Sequence, residues 1–272
     1  MTVAAVPSGT RAKLNRVRLQ LRTFDSLLQT FRAEHPYRLE VSTNEDQTTH
    51  YVRIYGAAEV SAEAGVIVGE ILYHLRSSLD HMVHSLVIAN GMCASSQTEF
   101  PVFASSDEFR RRGNSKIRGV SASAQTAIEA LQPYHAADPF TDEGTQLRAV
   151  RADDLFVLNE LARIDRHRFV AVVRAFIVMK YPVLKPGLDR PTHGGGTSAV
   201  VRDGLLIYHC SYRAPTSADD VEYPLAVREV LDGEWDEQFQ IESEGGIPSA
   251  LDRLTRLTNR VESVVNDLAG LL

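Results

Sequence analysis

Four segments of this chain place apolar residues at alternating steps of three and four, which gathers them on one stripe of a helix and leaves that stripe needing cover. The first carries Leu14, Val17, Leu21, Phe24, Leu28 and Phe31 behind Thr10 as N-cap, and stops before Pro36. The second has a capping-box start at Ser61, runs through Val68, Leu72, Leu75, Leu79, Met82 and Leu86, and ends at Asn90-Gly91. The third opens at Asp153 or Asp154, shows Leu155, Leu158, Ala162, Asp165, Phe169, Val172, Phe176 and Met179, and ends before Pro182. The fourth starts near Pro248 and shows Leu251, Leu254, Val261, Val265, Leu268 and Leu272. Stripes this long cover one another best side by side, so the spacing predicts an antiparallel bundle of four long helices.

Two β-hairpins interrupt the helical pattern. Residues 37–56 alternate apolar and polar around Asn44-Glu45-Asp46, and Asp203-Gly204 stands as a two-residue turn between β-rich runs at 198–202 and 205–212. Further strands near Glu222–Val227 and Phe239–Glu242 would complete a small antiparallel sheet. The segment 186–198, rich in glycine and proline, reads as a flexible loop. Between 92 and 150 the pattern gives short helices near Asp107–Arg112 and Ala122–Leu131, then a polar loop to about Thr145. The expected fold class is α+β, predominantly α: one helical-bundle domain over 1–272 with β-hairpin insertions near 37–56 and 198–242.

Composition narrows the function classes. A net charge of −6 over 272 residues argues against a surface that coats nucleic acid or anionic membrane throughout, and directs any such contact to a local patch. The two cysteines, Cys93 and Cys210, form no CxxC pair, so neither a disulfide framework nor a cysteine zinc site is expected. The N-terminal stretch does not read as an export signal, and the best apolar run, Phe169 to Met179, is broken by Arg174, so a cytoplasmic protein with neither an export signal nor a membrane span is the expectation. No GxxxxGK[ST] or GxGxxG loop and no GxSxG elbow is present, so His193-Gly194-Gly195-Gly196 is read as a loop and no cofactor is expected. The last helix serves equally as a homodimer seam or as a bundle member.

Two stretches carry chemistry. On the second helix, at roughly 100° per residue, Glu70, His74 and His81 share one face with Ser78 between them, while Arg76 and Asp80 share another flank. These are either a solvated face or a site. The acid and imidazole types suit a metal, for which Glu70, His74 and His81, joined by His167 from the third helix, would be the ligand set. On the third helix, "LNELARIDRHR", Asp165 sits on the apolar stripe and needs a basic or hydrogen-bonding partner, with Arg168, Arg76 and the second-helix histidines as candidates. His167 lies on a neighbouring face with Glu160 and Arg163. The bland alternative is a structural ion pair that sets helix register. The basic run "FRRRGNSKIRG" at 109–119 is either a solvated loop or a source of phosphate contacts.

The order "LRSSLDH", "TEFPVF", "KIRGV" with "LQPY", then "LNELARIDRHR" resembles an uncharacterised bacterial protein family that shares LRSALDH-type and ELxxIDKHR-type segments. The resemblance covers most of residues 66–170 and implies that Arg76, Asp80, Asp165, His167 and Arg168 occupy the family's motif positions; it implies no activity. Arg76 and His81 also form an RxxxxH spacing similar to that of HEPN domains, many of them metal-independent ribonucleases of toxin and antiphage systems. That similarity implies an RNA partner, a homodimer, Arg76 on the phosphate and His81 as acid or base toward the ribose hydroxyl, with Asp80, Asp165, His167 and Arg168 in support. Ser77 and Val83 depart from the residues usual there. Three readings follow: such a ribonuclease or RNA-binding protein, a metal-dependent bundle enzyme, and a non-catalytic interaction or ligand-binding protein.

Overall fold

A computed structural model describes residues 5–170, 172–177, 182–196, 199–224, 226–232 and 248–272. Its centre is helix α2 (Ala62–Ala89), which packs against α1 (Ser8–Glu34), α7 (Asp154–His167) and α8 (Ala250–Ala269). Ile67, Val68, Ile71, Leu72, Leu75, Leu79, Met82, Val83 and Leu86 are all buried, so α2 is apolar over most of its circumference.

The caps differ in detail from those expected. Pro7, not Thr10, occupies the N-cap of α1, and Thr10 is fully buried inside the helix; α1 stops at Glu34 because a residue preceding proline disfavours helical backbone. Ser61 is the N-cap of α2, but its hydroxyl makes no cap bond. Gly91, at φ +72°, ends that helix in the left-handed region as expected. Asp153 caps α7 by accepting from Leu155 N (2.9 Å), and Ser249 caps α8 by accepting from Asp252 N (3.1 Å).

The third helix is the main correction. It ends at His167, and Arg168 has extended backbone (φ −150°, ψ 150°). The chain continues as β3 (Val172–Ile177), which pairs antiparallel with β6 (Ala199–Val200) and β9 (Ala226–Leu231). Phe169, Val172, Phe176 and Met179 satisfy a helical stripe by spacing, yet with Val170, Val173 and Ile177 among them the density of β-branched and aromatic residues favours a pleated strand. The bundle is therefore three long helices and the short α7.

The first hairpin forms as expected from β1 (Arg38–Thr43) and β2 (Thr49–Tyr55). The second does not. Gly204 turns at φ +74°, but the following strand β7 (Leu205–Ser211) pairs with β2 and with β5 (His193–Gly196), not with the run before the turn. The side chain of Asp203 accepts the backbone N–H groups of Gly56 (2.8 Å) and Ala57 (2.9 Å), which ties the turn to the end of β2 instead. The supposed glycine loop is thus partly a strand; a Cβ on Gly194 would come 2.6 Å from the Tyr208 hydroxyl, so a larger residue there would displace that side chain. The result is a four-stranded sheet in the order β1-β2-β7-β5, the three strands around β3, and a pair β4 (Val183–Leu184) with β8 (Val221–Glu222). The strand expected at 239–242 lies outside the described residues.

Between α2 and α7 the chain is more helical than expected. A helical stretch runs from α3 (Ser106–Glu108) through a π turn at Phe109–Gly113 to α4 (Asn114–Lys116); α5 (Ala122–Ala130) follows, and α6 (Glu143–Ala152) begins where Asp142 caps it. Among the described residues no helix is long and apolar enough to cross a membrane.

Candidate functional site

Arg76 and Asp80 stand one turn apart on the α2 flank that faces α7. Arg76 Nη1 lies 3.2 Å from Asp80 Oδ1, and the side chains are 13% and 30% exposed, so the pair is largely withdrawn from water. Both ends close on one residue of "TEFPVF". Arg76 Nη2 donates to the Phe100 carbonyl, and the Phe100 N–H donates to Asp80 Oδ1 (2.9 Å). Phe100 is fully buried, so its backbone groups need these partners. Burial pushes the Arg76 guanidinium down from its ordinary value; Asp80 opposes that shift and the charge of Arg166 adds to it.

A second clamp holds the same segment. Gln132, also buried, donates from Nε2 to Pro101 O (2.9 Å) and Ile128 O (3.1 Å) and accepts from Phe103 N (3.1 Å). Lys116 forms an ion pair with Glu99. Burial lowers the Lys116 ammonium, and the nearby Arg76 charge lowers it further. Three sequence motifs far apart in the chain are therefore knit into one wall beside α2.

That wall, α2 and α7 enclose a cleft of about 450 Å³ lined by Tyr73, Arg76, Ser77, Asp80, Glu99, Asn159, Asp165 and Arg166. The polar clusters of the two helices thus meet. Gly69 makes the approach: a Cβ there would sit 2.8 Å from both Asp165 carboxylate oxygens. Asp165 takes a hydrogen bond from the Val170 N–H, just past the end of α7. Its partner is backbone, and among the described residues it has no ion pair with Arg168, Arg76 or a histidine. Burial raises the Asp165 carboxyl above its ordinary value, with the Val170 bond opposing.

The remaining sequence-selected residues lie elsewhere. His74 and His81 face α1. The His81 Nδ1 is 3.6 Å from where a Cβ of Gly9 would be; burial lowers both imidazoles, and Lys13 adds to the effect on each. Glu70 accepts from the Gln20 amide on that side. His167 and Arg168 are exposed at the end of α7. Arg76 and His81 are five positions apart, about 140° around a helix, which is why the flanks serve different neighbours. The proposed metal set of Glu70, His74, His81 and His167 is split between these places, and among the described residues no group of three His, Cys, Asp or Glu is placed to hold a metal ion. A larger cleft of about 700 Å³ runs along α1 past Glu59 and Glu63 and holds none of the residues selected from sequence.

Phe100, Gln132, Glu99 and Arg166 escaped the sequence reading. Phe100 acts through its backbone, which leaves no mark in a sequence. Gln132 was legible only as part of "LQPY". No family model matches this chain, and neither a curated protein nor a solved structure matches it.

The Asp165 environment gives a prediction with a definite sign. A carboxyl raised in the folded state contributes stability that is full below the unfolded-state value and is lost as pH rises through the folded value. Asparagine keeps an oxygen for the Val170 N–H and carries no charge to desolvate. Urea unfolding of Asp165→Asn should therefore match the parent at acid pH and gain on it as pH rises to neutral; a variant that loses stability at neutral pH would contradict this.

Proposed function

We propose that the chain is a binding protein for a small zwitterion, an amino acid or the end of a peptide, held in the cleft between α2 and α7. One observation carries the reading. Arg76 is closed on Asp80, and Lys116 on Glu99, but the neighbours Asp165 and Arg166 line the same cleft with no ion pair among the described residues. Arg166 spends only its Nε, on the Ala162 carbonyl (3.1 Å). A ligand carboxylate complements the remaining guanidinium fork, and a ligand ammonium complements Asp165. Tyr73, Ser77 and Asn159 supply neutral hydrogen bonds around them.

Calorimetric titration with the standard amino acids and glycylglycine tests this. At least one should bind, its N-acetyl derivative should not, and Asp165→Asn or Arg166→Ala should each weaken it about tenfold or more. Affinity should fall as pH drops and Asp165 takes up its proton. Absence of heat with every member up to about 10 mM would overturn the reading.

The ribonuclease reading draws support from a basic cleft beside Lys116. With Arg76 on the α7 side and His81 on the α1 side, a second copy of the chain would have to bring the two onto one phosphate. It predicts RNA cleavage that survives EDTA and is lost in His81→Ala; RNA that stays intact with the wild-type chain would remove it.

A further inference from the structure

On the far side of the Lys116–Glu99 pair lies a second cleft, of about 570 Å³, walled by residues 92–98 and by the stretch from Arg111 to Gly119. Its charge is one-sided. Arg111, Arg112, Lys116 and Arg118 line it, and among the described residues no carboxylate does, although the chain as a whole carries −6. Lys116 is neutralised by Glu99. The three arginines are not neutralised in this way. Arg111 spends only Nε, on the Asp107 carbonyl (3.3 Å). Arg112 rests over the Phe103 ring, 5.8 Å from its centroid. Arg118 is exposed and has no partner among the described residues.

The backbone holds these charges together against their repulsion. Gly119, at φ +97°, packs so close to α2 that a Cβ would sit 3.1 Å from Val87 and 3.2 Å from Met92, and its carbonyl accepts from Asn90 Nδ2 (3.0 Å). The opposite wall is a tight turn in which Ser95 Oγ accepts from Gln97 N (3.2 Å) and Thr98 Oγ1 from Ser95 N (3.0 Å). The two hydroxyls lie 3.5 Å apart, so one can donate to the other while the second keeps a proton for a further acceptor.

We propose that this cleft is a binding site for a ligand that carries two or more phosphates and is of nucleotide size. Guanidinium forks match phosphate oxygens two at a time, three unneutralised arginines match more charge than one phosphate brings, and the volume suits a small molecule rather than a folded partner. The site is separate from the zwitterion cleft and does not depend on it. The phosphates belong either to a free nucleotide or to single-stranded RNA, and the test separates the two.

The protein supplies its own reporter, because Cys93 is exposed in this cleft while Cys210 is buried. Its rate of alkylation by N-ethylmaleimide is followed by mass spectrometry with ATP, inorganic pyrophosphate, an oligoribonucleotide of about 12 residues, or citrate as a carboxylate control. At saturation ATP or pyrophosphate should slow the reaction about tenfold, the protection should vanish in Arg118→Ser, and it should persist in Arg11→Ser, which removes the same charge from an exposed site on α1. Protection by the oligonucleotide alone would support the phosphate site and assign it to RNA. Equal protection by citrate, or none from any phosphate compound, would overturn the proposal.

Discussion

Arg76→Ala should cost the fold about 3–5 kcal/mol, the largest effect expected of any substitution at this cleft. The substitution leaves Asp80 partly buried without its counter-charge and strips the Phe100 carbonyl of its donor, while Phe100 itself stays fully buried. Either consequence alone is costly, since a buried acceptor without a partner loses about 1–3 kcal/mol. The pair is not proposed as a source of net stability, because removing two buried charges together is far milder than stranding one. Arg76→Met combined with Asp80→Leu should therefore recover part of the loss, incompletely, because the Phe100 N–H and C=O are still orphaned. Urea unfolding of the two single variants and the double variant reads the coupling directly. A loss below about 1 kcal/mol in Arg76→Ala would mean that the pair is a wet surface contact.

Gln132→Ala should lose about 2–4 kcal/mol, more than its residue type suggests. Gln132 is 2% exposed and makes three hydrogen bonds, two of them to the Pro101 carbonyl and the Phe103 N–H. Those backbone groups follow directly on the Phe100 clamp, so the substitution loosens the whole wall of the cleft. Gln132→Leu fills the volume but restores neither bond, and should recover little. Gln132→Glu keeps the acceptor for Phe103 and sets a carboxylate against two carbonyls, so it should be no better. Amide exchange at Phe103, followed in the same variants, should rise from protected to rapid; unchanged protection would place the wall's stability elsewhere.

Much of the bundle was legible because a stripe of buried residues has only one explanation over twenty or more positions. In α2 every expected apolar residue is buried, and in α1 and α8 most are, the exceptions being half-buried Leu21 and Leu251 and exposed Leu272, which lies beyond α8. The third stripe misled past His167 because Val and Phe at steps of three and four meet the spacing of a helix while their β-branched and aromatic shapes favour a strand. The second hairpin misled for a different reason: Asp203 and Gly204 do turn the chain, but a turn does not choose the strand that pairs beyond it, and the Asp203 bonds to Gly56 and Ala57 make that choice. At the site, Arg76, Asp80 and Asp165 stood out as interruptions of apolar stripes and share the cleft. His81 stood out equally and lies on the other side of α2, since spacing on one helix gives angles between residues and says nothing of which neighbour lies at each angle. The partner of Asp165 was sought among side chains and is the N–H of Val170.

The most direct measurement is a carbon-13 NMR titration of the Asp165 side-chain carboxyl, with and without the amino acid that binds best. In the free protein its midpoint should lie above the ordinary aspartate value of about 3.9, and the bound ammonium should draw that midpoint down. A midpoint that starts at the ordinary value, or that does not move when the ligand is added, would contradict a zwitterion held between Asp165 and Arg166.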